Sequence, residues 1–182
     1  MAAVESVRTG LDEVMPRWHF RERHQRRIDA PGVDVLDAIA RTTWAEVPLF
    51  TVLLRIGSLG RLRREPGRTV FEDMVAGGFR LLVRTEEELV IAAVSGDEPF
   101  PPEDGGPGPA DWFRGYAPLG SSKVAFNVRF TGGVLTTETR VVAADEDARR
   151  RFRRYWLMIR LPGGLVRREM LRTVRRAVGE RK

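Results

Sequence analysis

Alternation of polar and apolar residues predicts the first strand of the chain at residues 18–28. The odd-numbered positions from His19 to Arg27 are all polar, whereas the even-numbered series is apolar at both ends and polar in the middle. A period of two with one fully polar side is typical of a strand that has one covered face. Ala30-Pro31-Gly32 then ends the strand, because proline cannot donate to a ladder of hydrogen bonds.

Three helical segments are predicted next. Residues 33–40 carry apolar side chains at helical spacing, and a second helical stretch runs from about residue 46 to residue 58. The third segment, residues 69–76, begins at Thr69, which is a favourable N-cap residue. It ends before Gly77-Gly78, as helices commonly do at glycine.

Two hairpins are predicted in the second half of the chain. Residues 79–84 and 88–94 flank a short polar turn, and residues 123–143 alternate in hydrophobicity around Gly132-Gly133. Paired glycines suit the two-residue turn whose twist matches that of the strands. A long amphipathic helix is predicted from Asp145 onward. This order of one strand, two or three helices, about four antiparallel strands and a final helix predicts an α+β fold.

Length and composition narrow the class of protein. The 182 residues favour one domain, and we assign residues 1–16 to a loosely attached arm and residues 17–182 to a single domain. The absence of cysteine excludes disulfides, thiolate zinc sites and a cysteine nucleophile, and 2 histidines exclude a three-histidine metal site. The sequence also lacks the phosphate-binding, dinucleotide-binding, zinc-protease and serine-hydrolase motifs. We therefore predict no cofactor and no metal.

Targeting signals are not evident in the sequence. Acidic and basic residues interrupt the first 18 residues, so no secretory leader is predicted there. The most apolar run, residues 47–56, is too short for a bilayer, which needs about 20 residues. We predict a cytoplasmic protein with no membrane span.

Charge is distributed unevenly along the chain. The formal net charge is +6, yet residues 85–113 contain eight acids and no bases, and residues 149–182 contain thirteen bases and two acids, so 13 − 2 = +11. This basic C-terminal segment raises the hypothesis of an anionic partner. Nucleic acid is a weak candidate, because residues 160–182 offer no stacking aromatic side chains.

Several local sequences resemble one superfamily. Ile28-Asp29-Ala30-Pro31, followed by Val35 and Ile39, is similar to the step from first strand to first helix in the SRPBCC (START / Bet v 1-like, helix-grip) superfamily. Residues 135–141 and 151–156 resemble closing elements of an uncharacterised bacterial branch of it. The resemblance covers about residues 17–180.

This resemblance implies a curved antiparallel sheet wrapped around a long C-terminal helix, with a cavity between them. Such cavities hold hydrophobic or amphipathic small molecules, in carriers or sensors and in polyketide cyclases or hydrolases. Pro162-Gly163-Gly164 departs from a simple helix-grip pattern, because it would bend the last helix and shrink the cavity.

Candidate site residues follow from the predicted faces. Glu22 and His24 share one strand face and are the candidate catalytic residues. The alternative is a salt-bridge ladder that faces solvent or lies at a rim. Glu138 and Arg140 also share a face and either line the pocket or lie outside it. The residues that we expect at the ligand are Phe20, Phe126, Val128, Trp112, Glu138, Arg140, Phe152, Tyr155 and Trp156.

Three functions remain open on the sequence. The preferred one is binding of a hydrophobic or amphipathic small molecule by a non-enzymatic module. The alternative is a polyketide cyclase/dehydratase-like enzyme that uses Glu22 and His24. The third is binding of an anionic partner through the basic C-terminal helix. The sequence leaves a homodimer open.

Overall fold

The structure, a computed structural model, describes residues 8–28, 32–48, 51–52, 65–95, 100, 107–157 and 172–173. The elements in chain order are α1 (Gly10–Val14), β1 (Phe20–Arg27), α2 (Gly32–Arg41), a 3-10 turn (Trp44–Glu46), α3 (Val70–Ala76), β2 (Arg80–Arg84), β3 (Glu88–Ser95), α4 (Pro109–Gly115), β4 (Ser122–Thr131), β5 (Val134–Ala143) and α5 (146–157).

Five strands form one antiparallel sheet in the order β1-β5-β4-β3-β2. The last four strands are consecutive along the chain, and β1 adds to the far edge beside β5. Gly132 and Gly133 turn β4 into β5 with φ of 58° and 73°, which confirms the predicted two-residue turn. The α+β class and the antiparallel sheet are therefore confirmed.

One face of the sheet, here called the inner face, is covered by α2, α3 and α5. Apolar side chains of α2 pack against β4 and β5 in a cluster that includes Val35, Ile39, Val128, Phe130 and Leu135. The helical period predicted for residues 33–40 is thus confirmed, and its apolar stripe is buried against the sheet.

The opposite, outer face is covered by α1 and α4. Leu11, Val14 and Met15 of the α1 segment are almost completely buried with Val90 of β3 and Phe113 of α4. Residues 8–16 of the predicted arm therefore contribute part of the outer core.

The third predicted helix begins and ends as its sequence indicates. Thr69 is the N-cap of α3, and its hydroxyl accepts a hydrogen bond from the amide of Glu72. Gly77 is the C-cap, and Gly78 follows at φ 95°. Trp44 Nε1 donates to Asp73 Oδ2 at 2.9 Å, which ties the 3-10 turn to α3.

The described part of the last helix packs onto β1. Asp145 is its cap, because Asp145 Oδ1 accepts a hydrogen bond from the amide of Ala148. Phe20 lies 5.3 Å from Phe152 and 5.8 Å from Trp156, measured between ring centroids. The predicted bend at residues 162–164 lies outside the described residues, as does Asp29-Ala30-Pro31.

Within the described ranges, no helix has the length and apolar character needed to cross a membrane.

Candidate functional site

Two rows of side chains cross the inner face from polar residues to apolar ones. Strand register places Glu22, Thr139, Phe126 and Ile91 opposite one another in the first row, and His24, Thr137, Val128 and Leu89 in the second. Directly opposed side chains on one face lie within contact distance. The threonines of β5 therefore separate an acid–imidazole pair on β1 from an apolar region on β3 and β4.

The acid–imidazole pair is tightly formed. Nε2 of His24 lies 2.6 Å from Oε1 of Glu22, and the two side chains are 23% and 13% exposed, respectively. An ionised carboxylate only accepts hydrogen bonds, so it selects the tautomer with hydrogen on Nε2 and leaves Nδ1 of a neutral ring as an acceptor. The contact with Glu22 therefore fixes the orientation of the imidazole on the inner face.

Thr137 lies next to this pair and has an unsatisfied hydroxyl. The residue is 9% exposed, and its Oγ1 is buried with no hydrogen-bond partner in the part of the chain that the structure describes. A buried hydroxyl without a partner costs about 1–3 kcal/mol. Such an atom marks a place where a ligand group or a water would be stabilised.

An apolar cavity lies at the other end of the two rows. It has a volume of about 40 Å³. Its walls come from α2, α3, β3 and β4 and consist of Ile39, Val70, Phe71, Met74, Leu89, Ile91, Phe126 and Val128. Drug-sized pockets have volumes of about 300–1,000 Å³, so this space accepts only a small apolar group.

Two of the three aromatic residues predicted on the last helix pack against the sheet, and the third is exposed. Phe152 and Trp156 pack on Phe20 at the inner face, whereas Tyr155 is 49% exposed and meets Phe152 edge-on at 5.6 Å. Of these residues, Phe20, Phe152 and Trp156 share the face of the acid–imidazole pair.

Glu138 and Arg140 lie on the outer face, in a buried network of charges. Glu138 receives hydrogen bonds from Arg21 at 2.8 and 2.9 Å and from Arg140 at 2.7 Å. Arg140 also donates to Asp12 at 2.6 Å and to the carbonyl oxygen of Met15 at 2.8 Å. These two residues are therefore occupied by protein partners that hold the end of α1.

Burial and ion pairing shift the pKa values of two carboxyl groups of this network, Glu138 and Asp12, in opposite directions. For Glu138, burial raises the pKa, but the hydrogen bonds from Arg21 and Arg140 together outweigh burial and bring the pKa below its ordinary value. For Asp12, burial likewise raises the pKa, and the hydrogen bonds from Thr9 and Arg140 outweigh it. Both carboxyls are therefore held in the ionised form.

Glu88 and Asn127 extend the network to the start of α1. Glu88 accepts hydrogen bonds from the amides of Gly10 and Leu11 at 2.7 and 3.3 Å and from Asn127 Nδ2 at 2.6 Å. Asn127 Oδ1 in turn accepts from the amide of Glu138 at 3.0 Å. The first amides of a helix have no partner inside it, so Glu88 satisfies two of them.

Trp112 also lies on the outer side of the sheet. Its ring is 4.9 Å from that of Phe100 and 4.8 Å from that of Tyr116, and Phe113 beside it is fully buried under α1. Trp112 therefore belongs to the cluster that packs α4 and does not adjoin the inner-face rows.

The structure divides the sequence-predicted site residues between two faces. The inner face brings together Glu22, His24, Phe20, Phe126, Val128, Phe152 and Trp156, and the outer face holds Trp112, Glu138 and Arg140. Sequence reasoning missed Thr137 and Glu88. The sequence pattern could have pointed to Glu88, because this residue is the one acid in an alternating series with Val90, Ala92 and Val94.

No protein-family model, curated protein or solved structure matches this chain. Among the described residues, no cluster of three histidine, aspartate or glutamate side chains is arranged to hold a metal ion.

Proposed function

We propose that the protein binds an amphipathic small molecule along the inner face of the sheet. The observation that carries this proposal is the unpartnered hydroxyl of Thr137, which lies between the Glu22–His24 pair and the apolar cavity. The resemblance to the helix-grip superfamily supports an amphipathic ligand, but it implies a cavity between the sheet and the last helix, whereas this cavity is lined by α2, α3, β3 and β4.

The two rows define the length of such a molecule. His24 and Val128 are separated by one intervening strand, so a molecule that reaches from the imidazole to the cavity spans two strand spacings, or about 10 Å. Its apolar end fits the cavity beside Phe126 and Val128. Only a narrow group such as a short alkyl end fits a space of about 40 Å³.

The polar end of the ligand meets a defined set of hydrogen-bonding groups. Thr137 Oγ1 donates one hydrogen bond, and Nδ1 of a neutral His24 accepts one. A hydroxyl group matches this set, because it both donates and accepts. Glu22 holds the imidazole in the tautomer that this match requires.

Mass spectrometry of a solvent extract of the purified protein tests the proposal directly. We expect an amphipathic molecule in the extract of the wild-type protein. We also expect the protein to bind the dye 1-anilinonaphthalene-8-sulfonate and the extracted molecule to displace this dye. Met74→Trp places an indole in the cavity and should abolish both signals. Val75→Trp is the matched control, because Val75 is the next residue of α3 and is 42% exposed.

Equal binding by folded Met74→Trp and Val75→Trp proteins would show that the cavity is not the site. An extract without any bound molecule, together with dye binding that Met74→Trp leaves unchanged, would overturn the proposal.

A second candidate function is acid–base catalysis of the cyclase/dehydratase kind. The 2.6 Å contact between Glu22 and His24 favours it, since general acid–base groups need such orientation. If the extracted molecule is turned over, Glu22→Gln and His24→Ala should each lower kcat by about 100-fold or more. Unchanged turnover in both variants would show that Glu22 and His24 do not catalyse the reaction.

The hypothesis of an anionic partner at the basic C-terminal segment concerns residues that are largely outside the described ranges. It remains a proposal that salt-dependent binding to heparin would test.

A further inference from the structure

β1 is an end strand of the sheet, and no strand of the described residues pairs with its outer edge. The amide of Ile28 donates to the carbonyl of Gly133 at 2.9 Å, and this pair continues the register of β1 with β5. Because hydrogen-bonded pairs alternate in an antiparallel ladder, the backbone groups of Arg23, Gln25 and Arg27 point away from β5. No described residue hydrogen-bonds to these backbone groups.

The same three residues project exposed polar side chains from the outer face. The Arg23 side chain is 52% exposed and approaches Glu138 only at 4.0 Å. Within the described ranges, Arg27 has no ion pair. The neighbouring Arg21 side chain is 40% exposed and pairs with Glu138. The open edge of β1 therefore combines backbone groups that no described residue pairs with and a row of guanidinium groups.

Charge determines which strand this edge accepts. Antiparallel pairing with β1 of a second copy would place arginines opposite arginines or Gln25, and like charges directly opposite are destabilising. An added strand with acidic side chains at alternate positions would place carboxylates opposite Arg23 and Arg27, which is stabilising.

A protein strand matches the edge better than a nucleic acid does. Backbone amides and carbonyls that alternate along an edge are complementary to another peptide backbone. The nearby indole of Trp18 is already engaged by guanidinium groups, with Arg140 at 4.2 Å and Arg21 at 5.3 Å from the ring centroid.

We propose that the open edge of β1 binds an extended acidic segment of a partner protein by strand addition, through the backbone of Arg23, Gln25 and Arg27 and their outward side chains. The arginine side chains that recognise the segment project from the opposite side of the sheet to the inner-face rows.

Three probes of about eight residues, the length of an ordinary strand, test the proposal on the full chain. The first peptide alternates glutamate with valine, the second is the same peptide with N-methylated glutamate backbone nitrogens, and the third alternates lysine with valine. Oligothymidylate serves as a non-peptide polyanion. We expect the first peptide to bind, as measured by fluorescence anisotropy, and the N-methylated peptide to bind about tenfold more weakly, since its glutamates cannot donate backbone hydrogen bonds to the outward carbonyls of β1.

Matched variants separate strand addition from simple attraction of charges. Arg23→Glu combined with Arg27→Glu should weaken binding of the acidic peptide about tenfold and favour the lysine peptide. Arg153→Glu combined with Arg154→Glu makes the same change in net charge on exposed positions of α5 and should leave affinity within about twofold. Bound acidic peptide should also slow hydrogen exchange at the amides of residues 23, 25 and 27.

Four results would overturn the proposal. The first is that the acidic peptide fails to bind at about 1 mM, the limit of weak association. The second is that the N-methylated peptide or oligothymidylate binds as tightly as the acidic peptide. The third is that both pairs of charge reversals weaken binding equally. The fourth is that exchange at the three amides is unchanged by the peptide.

Discussion

Glu88 Oε2 accepts a hydrogen bond from the amide of Gly10 at 2.7 Å, across 78 residues of chain. Arg140 donates to the carbonyl of Met15 at the other end of the same helix. A carboxylate at the amide end of α1 and a guanidinium at its carbonyl end satisfy groups that a helix leaves without partners. A helix of five residues is thereby held on the sheet by groups at both of its ends.

Glu88→Gln should lower the free energy of unfolding by about 2 kcal/mol. The glutamate accepts hydrogen bonds from Gly10, Leu11 and Asn127, and an amide would turn a donor toward at least one of these donors. Urea denaturation measures the change. Glu86→Gln, at an exposed position of the same turn, should have no measurable effect. Equal stability of the two variants would show that Glu88 does not hold α1.

Arg140→Met should destabilise the protein by about 3 kcal/mol, because it leaves the buried Glu138 with a weaker set of partners. The double variant Arg140→Met with Glu138→Met removes both charges and should be more stable than Arg140→Met alone. Denaturation midpoints of the three proteins provide the test. A double variant that is less stable than Arg140→Met would contradict this account.

Stability should fall on acidification through Glu138 and Asp12. The pKa of each carboxyl is lower in the folded protein than its ordinary value, which is 4.5 for glutamate and 3.8 for aspartate. The unfolded chain therefore takes up protons first as the pH falls. The stability that these groups contribute is complete above the ordinary values and is lost as the pH falls through the folded values.

Urea midpoints measured from neutral pH down to about pH 3 test this dependence. Glu138→Gln should be less stable than the wild type at neutral pH and should lose less stability on acidification. Glu86→Gln should follow the wild-type curve. Parallel curves for wild type and Glu138→Gln would exclude Glu138 as a source of the acid sensitivity.

Thr137→Val should raise the free energy of unfolding of the ligand-free protein by about 1 kcal/mol, since it removes a buried hydroxyl that has no partner. The same change should weaken retention of the extracted ligand. Thr136→Val, on the opposite face of β5, is the control and should change neither property. Loss of stability in Thr137→Val would mean that the hydroxyl contributes to the fold.

Local patterns along the chain predicted most of the secondary structure. Thr69 caps α3 at its start and Gly77 caps it at its end, and Gly132-Gly133 form the turn of the last hairpin. These features were predictable because caps and tight turns depend on a few adjacent residues. The alternation in β1 also predicted its exposed side, on which Arg21, Arg23, Gln25 and Arg27 lie.

The sequence predicted less well which face of the sheet each polar residue occupies. The sequence left Glu138 and Arg140 undecided between pocket and outside, because a covered outer face was not expected. α1 supplies that cover, and its attachment depends on Glu88 and Arg140, which are remote in sequence. Long-range partners of this kind leave no periodic signal in the residues that they join.

The anchoring of α1 has a consequence for biosynthesis. Residues 9–15 emerge from the ribosome early, but the guanidinium that receives the end of their helix belongs to residue 140, on the last strand to be made. During translation the carbonyl of Met15 lacks this donor until β5 is made, although Glu88 and the apolar partners Val90 and Phe113 are made earlier. Chains arrested between β4 and β5 should therefore hold the segment less firmly and lose it to proteases faster than released chains do.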